Sequence, residues 1–284
     1  MPQYLYTACT GRCGQSSLAA YINTFGKRCF AEVEPPELVY KSHWPLGNWI
    51  GLIQRKWILT HELLGRGKAL TWYDEDKDAL LDRLAQRRHR RVQRLLKSHD
   101  ADYYIELSKF FIRSYCDATH RIVPDMGALL LYRNPLKNAR SFVNRKKNFS
   151  LDGVMPFFKK ACFPIDIDRL SKYQLYLWQW VEIDLRYQRF VEENRIERHS
   201  RFRTEDLNDI AQVSDLFDQL GIERTGEITP LQPRNTNLSQ GRKATAVLPE
   251  DHDAFLQFLE MIPSDIMGRI PHILDYQKTQ TTVE

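Results

Sequence analysis

Five short runs of the chain carry the hydrophobic signature of buried strands: residues 3–9, 28–33, 102–107, 128–132 and, with a thinner apolar content, 198–203. Each is of strand length, rich in apolar or aromatic residues and bounded by polar or turn-forming ones. Between them the apolar positions recur at helical spacing. Residues 16–25 predict a short helix that Gly26 stops. Residues 74–99 place Leu80, Leu81, Leu84, Val92, Leu95 and Leu96 on one face, while Arg87, Arg88, Arg90 and Arg91 crowd the other. Residues 135–147 predict a third helix that opens on Pro135, at the favoured first position. The longest, residues 171–195, is rich in Tyr and Trp, and its large aromatics at helical spacing read as core. Residues 209–220 and 249–261 predict two more.

Alternating strands and helices predict an α/β fold of three layers, a parallel β-sheet flanked by helices. The connection 34–101 is far longer than one crossover needs. It reads as a mainly helical insertion, 35–101, that roofs the substrate site, with Trp44, Trp49 and Trp57 as an acceptor wall. Residues 221–248 are polar and rich in Pro, Gly, Asn and Thr, and predict an extended loop. No repeat or boundary is visible, so 1–284 reads as a single domain.

Composition narrows the class. With 43% hydrophobic and 27% charged residues the chain is ordinarily globular, neither disordered nor fibrous. No apolar run approaches the ~18–20 residues that cross a bilayer, and the N-terminus lacks a basic segment followed by an apolar one. The five cysteines, at 9, 13, 29, 116 and 162, form no C-x-x-C pair. Reduced thiols, no zinc cluster and a cytoplasmic location are expected. A net charge of +5 favours an anionic ligand and is too small to announce nucleic acid. The arginines around position 90 read either as a solvated face or as an attractor for an anionic cofactor or acceptor.

The chemistry concentrates after the first strand, in Thr10-Gly11-Arg12-Cys13-Gly14-Gln15-Ser16-Ser17. The carboxyl end of a strand in an open parallel sheet is where ligands bind. The following helix N-terminus offers free N–H groups and partial positive charge to an anion. Gly11 and Gly14 let the backbone wrap a phosphate, Arg12 adds a permanent cation, and Ser16 and Ser17 add hydroxyls. The loop lacks the second glycine and the lysine of a Walker loop, G-x-x-x-x-G-K-[ST]. A second element follows residues 128–132: Arg133-Asn134-Pro135, with Ser141 eight residues after Arg133. Asn134 suits a helix cap and Pro135 a helix start. Ser141 then lies about 9 Å along the helix from Pro135, so that Arg133 and Ser141 can grip a second phosphate from two sides.

Together these residues resemble the sulfotransferases that use 3′-phosphoadenosine-5′-phosphosulfate (PAPS). The resemblance implies that the first motif holds the 5′-phosphosulfate end and that R-N-P-x-x-x-x-x-S holds the 3′-phosphate. Cys13 stands where serine is usual and Gln15 where threonine is usual; a backbone cradle tolerates both. Arg203-Thr204-Glu205-Asp206-Leu207 is similar to the family's later R-Y-E-D-L segment, and Gly241-Arg242-Lys243 to its basic cofactor-binding segment. The resemblance implies metal-free transfer of a sulfuryl group from PAPS to a hydroxyl or amine, leaving adenosine 3′,5′-bisphosphate (PAP). A soluble small molecule, a specialised natural product among the candidates, is the expected acceptor. A kinase-like phosphotransferase and an anionic-polymer-binding module are the competing readings.

Charge building on the bridging oxygen calls for a positioned cation, and Arg12 is the candidate. The acceptor's proton calls for a base. Branches of the family carry a glutamate after the second strand, and Glu32 and Glu34 fall 20 and 22 residues after Arg12. Strand alternation points both to one face. Glu34 is preferred because Pro35 ends the strand there. If the first two strands are neighbours, the end of the second lies beside the phosphate loop. His61, in Thr60-His61, is a rival, although the family's K-T-H position falls here on Glu106-Leu107-Ser108-Lys109. Glu106 and Lys109 resemble the E-K-[ST]-P segment of carbohydrate-type branches.

Overall fold

A computed structural model describes residues 2–35, 68–144, 160–231 and 246–280. Its centre is a five-stranded parallel sheet: β1 (Gln3–Ala8), β2 (Cys29–Val33), β3 (Tyr103–Leu107), β4 (Gly127–Tyr132) and β5 (His199–Arg203), in the order β2-β3-β1-β4-β5. All five are where the hydrophobic pattern places strands. Alternation along β1 sends Tyr4, Tyr6 and Ala8 into one core and Leu5 and Cys9 into the other.

The strand order corrects one expectation: β1 and β2 are not neighbours, because β3 pairs between them. The handedness of parallel connections explains where each helix then goes. From β1 to β2 the chain moves one way along the sheet, over α1 (Gln15–Phe25), which packs on the second core. From β2 to β3 to β4 it moves back. A right-handed crossover must then use the opposite face, and α3 (Asp78–Ser98) and α4 (Cys116–Ile122) pack there. Helix α7 (Ile210–Gln219), after β5, returns to the face of α1. The loop after β1 thus leaves on one face and the chain after β3 on the other, which opens a crevice at their carboxyl ends.

Two further corrections concern the helices. The predicted helix 74–99 is α3, and a separate short helix that the pattern does not announce, α2 (Lys68–Asp74), precedes it. Between them Asp76 takes φ 55°, and the Lys77 N–H donates back to the Trp72 carbonyl at 2.8 Å, a Schellman-type stop. Helix α3 is not a roof. Leu81, Leu84, Ala85, Val92 and Leu96 bury it against the sheet face as the β2–β3 crossover. The rest of the expected insertion, with Trp44, Trp49, Trp57 and His61, lies outside the described residues.

Residues 110–122 form a π-helical turn (Phe111–Tyr115) running into α4, which the sequence pattern does not announce. Phe110, Phe111, Ile112, Arg113, Ser114 and Tyr115 are all buried, so no polar face marks the helical period. Helix α5 (Pro135–Val143) is capped by the Asn134 side chain, which accepts from the Lys137 N–H at 3.1 Å. Helix α6 (Lys172–Glu193) is core, as its aromatics suggest, with Tyr173, Tyr176, Trp178, Trp180 and Tyr187 buried. Trp178 and Trp180 donate their indole N–H groups to the Phe163 and Arg133 carbonyls, at 2.7 and 2.8 Å. Helices α8 (Pro249–Glu260) and α9 (Ser264–Arg269) close the outer side of α6.

Candidate functional site

The loop after β1 is built from left-handed residues: Gly11 at φ 87°, Arg12 at 61° and Gly14 at 73°. Such sequences of turns make concave backbone nests suited to anions. Gly14 starts α1, its carbonyl accepting from the Ser17 and Leu18 N–H groups at 2.9 Å. A Cβ on Gly14 would sit 2.8 Å from both Leu207 and Thr204, so the segment after β5 seals the loop's back. Ser16 is exposed at the helix start and Ser17 half-buried beside it.

The loop's underside is tied down by side chains from three other elements. Asn138 donates to the Gly11 carbonyl at 3.0 Å and accepts from the Thr10 hydroxyl at 3.2 Å. The Thr10 carbonyl accepts from Arg113 at 2.8 Å and from Gln179 at 3.3 Å. Gln15 is turned away from the crevice and donates to the Leu107 carbonyl at 3.0 Å. Of Cys13 and Gln15 only the main chain is left to face a ligand, since both side chains are buried. Burial drives the Cys9 thiol up. For the neighbouring Cys13, burial is outweighed by hydrogen bonds from Cys9 and the Gly11 main chain, and its thiol is lowered. Asn138, Arg113 and Gln179 were not legible in the sequence, because each lies far along the chain from the loop it supports.

The second phosphate element closes onto the first. Arg133, at the end of β4, donates to the Arg12 carbonyl at 3.4 Å, and Arg12 Nε reaches Ser141 Oγ at 3.4 Å. Glu205 accepts from the Asn134 N–H at 3.3 Å and stands 4.0 Å from Arg133. Arg12, more than a hundred residues before Arg133 and Ser141 in the chain, therefore shares one rim of the crevice with them. Arg242 and Lys243 lie outside the described residues.

The opposite rim separates the two candidate glutamates. Glu32 and Glu106 are register partners on β2 and β3, two carboxylates side by side. Two arginines one turn apart on α3 neutralise them. Arg91 holds Glu32 with two hydrogen bonds of 2.7 Å, and Arg88 pairs with the fully buried Glu106. Tyr104 donates to Glu32 at 2.7 Å, and Tyr115 donates to Glu106. Burial raises the Glu106 carboxyl against the pull of Arg88 and Tyr115. Both groups belong to the scaffold. Glu34 has left the alternation: it takes φ 46° and its N–H donates to the Leu107 carbonyl at 3.2 Å. Its carboxylate lies 3.6 Å from Lys109 Nζ. Lys109 in turn packs on the loop, its Cδ 3.3 Å from where a Gly11 Cβ would be. So Glu34 reaches the phosphate loop across β3, through Lys109, and not by strand adjacency. Arg12 and Glu34 are both non-glycine residues in left-handed backbone, strain that collects at working sites.

The arginine run divides in the same way. Arg88 and Arg91 turn inward, while Arg83, Arg87, Arg90 and Arg94 are exposed along an open depression on the outer side of α3.

No family model and no curated protein matches the chain. Among solved structures, the sulfotransferase domain from the curacin biosynthetic pathway superposes with a TM-score of 0.54 at 15% identity, over 96% of this chain and 98% of that one. The sulfotransferase from Alicyclobacillus acidocaldarius gives 0.49 at 12% identity, over 97% and 96%. The sulfotransferase domain of the Synechococcus olefin synthase gives 0.46 at 12%, over 100% and 96%. The parallel sheet, its strand order and the near-complete overlap with the curacin domain establish that the chain has the sulfotransferase fold.

Proposed function

We propose that the protein is a PAPS-dependent sulfotransferase acting on a hydroxyl or amine of a soluble small molecule. The observation that carries this reading is the convergence of two anion-binding elements, the loop 10–17 and the Arg133–Ser141 pair, across from a carboxylate held by Lys109. Two phosphates at opposite ends of one nucleotide need two such elements. The left-handed backbone at Gly11, Arg12 and Gly14 fits one of them, and Arg133 with Ser141 fits the other.

PAPS, when bound, supplies the sulfuryl group. The loop's N–H groups and Arg12 hold the 5′ end, and Arg12 meets the negative charge that grows on the leaving phosphate. Arg133 and Ser141 hold the 3′-phosphate, with Arg242 and Lys243 as the sequence-based candidates to join them. Glu34 accepts the acceptor's proton at its carboxylate, and Lys109 fixes that carboxylate's position.

The test is donor consumption. Purified protein is given PAPS, a chelator and a panel of soluble alcohols, phenols and amines, and PAP release is followed. Acceptor-dependent release without added metal is expected. Consumption of ATP with magnesium, and none of PAPS, would reject the reading in favour of a phosphotransferase.

A further inference from the structure

Arg113 is the sole charged residue between Lys109 and Asp117, and it sits in the π-helical turn under the phosphate loop. Such turns recur at functional sites because they push one residue out of the regular helical ladder. The Arg113 side chain is 0% exposed. One nitrogen donates to the Thr10 carbonyl at 2.8 Å, while Nε and the other terminal nitrogen are buried without a partner. It makes no ion pair among the described residues.

Its charged neighbours are engaged with one another. Arg186 is beside it and already holds Glu182 at 2.6 Å. Glu34 acts on it from a distance and has Lys109 at 3.6 Å. Arg186 and Lys109 each hold a carboxylate, Glu182 and Glu34, whereas Arg113 pairs with no carboxylate among the described residues. The neighbouring Cys9 and Cys13 thiols carry no charge while protonated. Burial pushes the Arg113 guanidinium down to about 10, which still leaves it charged at neutral pH. A buried, uncompensated cation destabilises a fold unless something repays it.

We propose that Arg113 is the counter-charge of the phosphate loop, a buried cation that the folded chain leaves unneutralised and that the anion bound above Thr10 neutralises. It acts through the loop and not by contact, so it is a positioning and electrostatic residue. The inference rests on the sulfotransferase reading for the identity of that anion, the 5′ end of the cofactor. It implies that the site is paid for in the stability of the empty protein.

The experiment compares wild type, Arg113→Met and Arg113→Lys by thermal unfolding and by calorimetry with PAP and with adenosine 3′-phosphate, which lacks the 5′ group. Arg113→Met should unfold at an unchanged or higher temperature when empty, since Gln179 still serves the Thr10 carbonyl. Its affinity for PAP should fall about tenfold, the scale of one charge acting through a buried medium, with little change for adenosine 3′-phosphate. Arg113→Lys keeps the charge and should bind PAP within about threefold of wild type, well inside the range of one charge-assisted bond. Equal PAP affinity in wild type and Arg113→Met would overturn the inference. So would failure of Arg113→Met to fold, or a tenfold loss in Arg113→Lys. A wild type that binds ADP and not PAP would instead reject the sulfotransferase reading, and the Arg113 contrast would then be read with ADP. Binding of neither nucleotide would reject both.

Discussion

The two rims of the crevice handle charge differently. On the β2–β3 rim, Glu32 and Glu106 meet Arg91 and Arg88 in short contacts, two of them 2.7 Å and bidentate, with a tyrosine hydroxyl donating to each carboxylate as well. On the β1–β4 rim, the contacts of Arg133 and the Arg12–Ser141 contact are 3.4 to 4.0 Å long. Charge-assisted hydrogen bonds at full strength lie near 2.7–2.9 Å. The first rim is closed by short ion pairs within the protein, and the long contacts of Arg133 on the second fit the proposal that it meets a ligand. Two glutamates of similar sequence context fall on opposite sides of this division. Glu32 is spent on α3, and Glu34, two residues later, is turned by its left-handed backbone toward Lys109 and the loop.

The same substitution at the two glutamates should have opposite effects. Glu34→Gln keeps the shape and cannot take a proton, so turnover should fall by about 10²–10⁴ with PAP affinity nearly unchanged. Glu32→Gln should leave turnover within a few-fold and lower stability instead, by about 1–3 kcal/mol, because Arg91 loses its partner. Turnover and melting of the two variants side by side check this, and collapse of activity in Glu32→Gln alone would reverse the assignment.

The next largest effect concerns the closed rim itself. Glu106→Gln or Arg88→Met should cost about 3–5 kcal/mol in urea unfolding, since each strands a buried charge. The double variant Arg88→Met with Glu106→Leu should recover most of the loss, since both charges leave together. On the open rim, Arg133→Ala should weaken PAP binding at least about tenfold while turnover at saturation holds, because the 3′-phosphate does not change during reaction. Arg12→Ala should show the reverse emphasis, in turnover. The smallest change is expected outside both rims. Arg87→Gln and Arg90→Gln alter exposed side chains and should shift stability by no more than about 0.5 kcal/mol.

Much of this was legible in the chain. The five strands announce themselves because each is a short apolar run between turn residues, and the left-handed loop after β1 because its glycines mark it. The strand order was not legible, since nothing local to β3 says that it pairs between β1 and β2. Nor was the inward turn of Arg88 and Arg91. As a sequence they belong to one basic run, and only the register of Glu32 beside Glu106 explains why one of its members is buried and another half-buried. The segment 110–122 escaped because residues 110–116 are buried on every side, polar Arg113 and Ser114 included, which leaves no polar face to mark a period. For Glu34, alternation gave the wrong face, because a positive φ interrupts the strand's two-residue repeat at that position.

The proposed function requires two phosphate-binding elements that serve one nucleotide bearing phosphates at both ends. Calorimetry with PAP, ADP and adenosine 3′-phosphate, each with and without magnesium, tests it most directly. PAP should bind at least about tenfold more tightly than either of the others, by the worth of one charged hydrogen-bonded group, and magnesium should make no difference. Equal affinity for ADP, or binding that requires magnesium, would contradict the two-phosphate site and the function drawn from it.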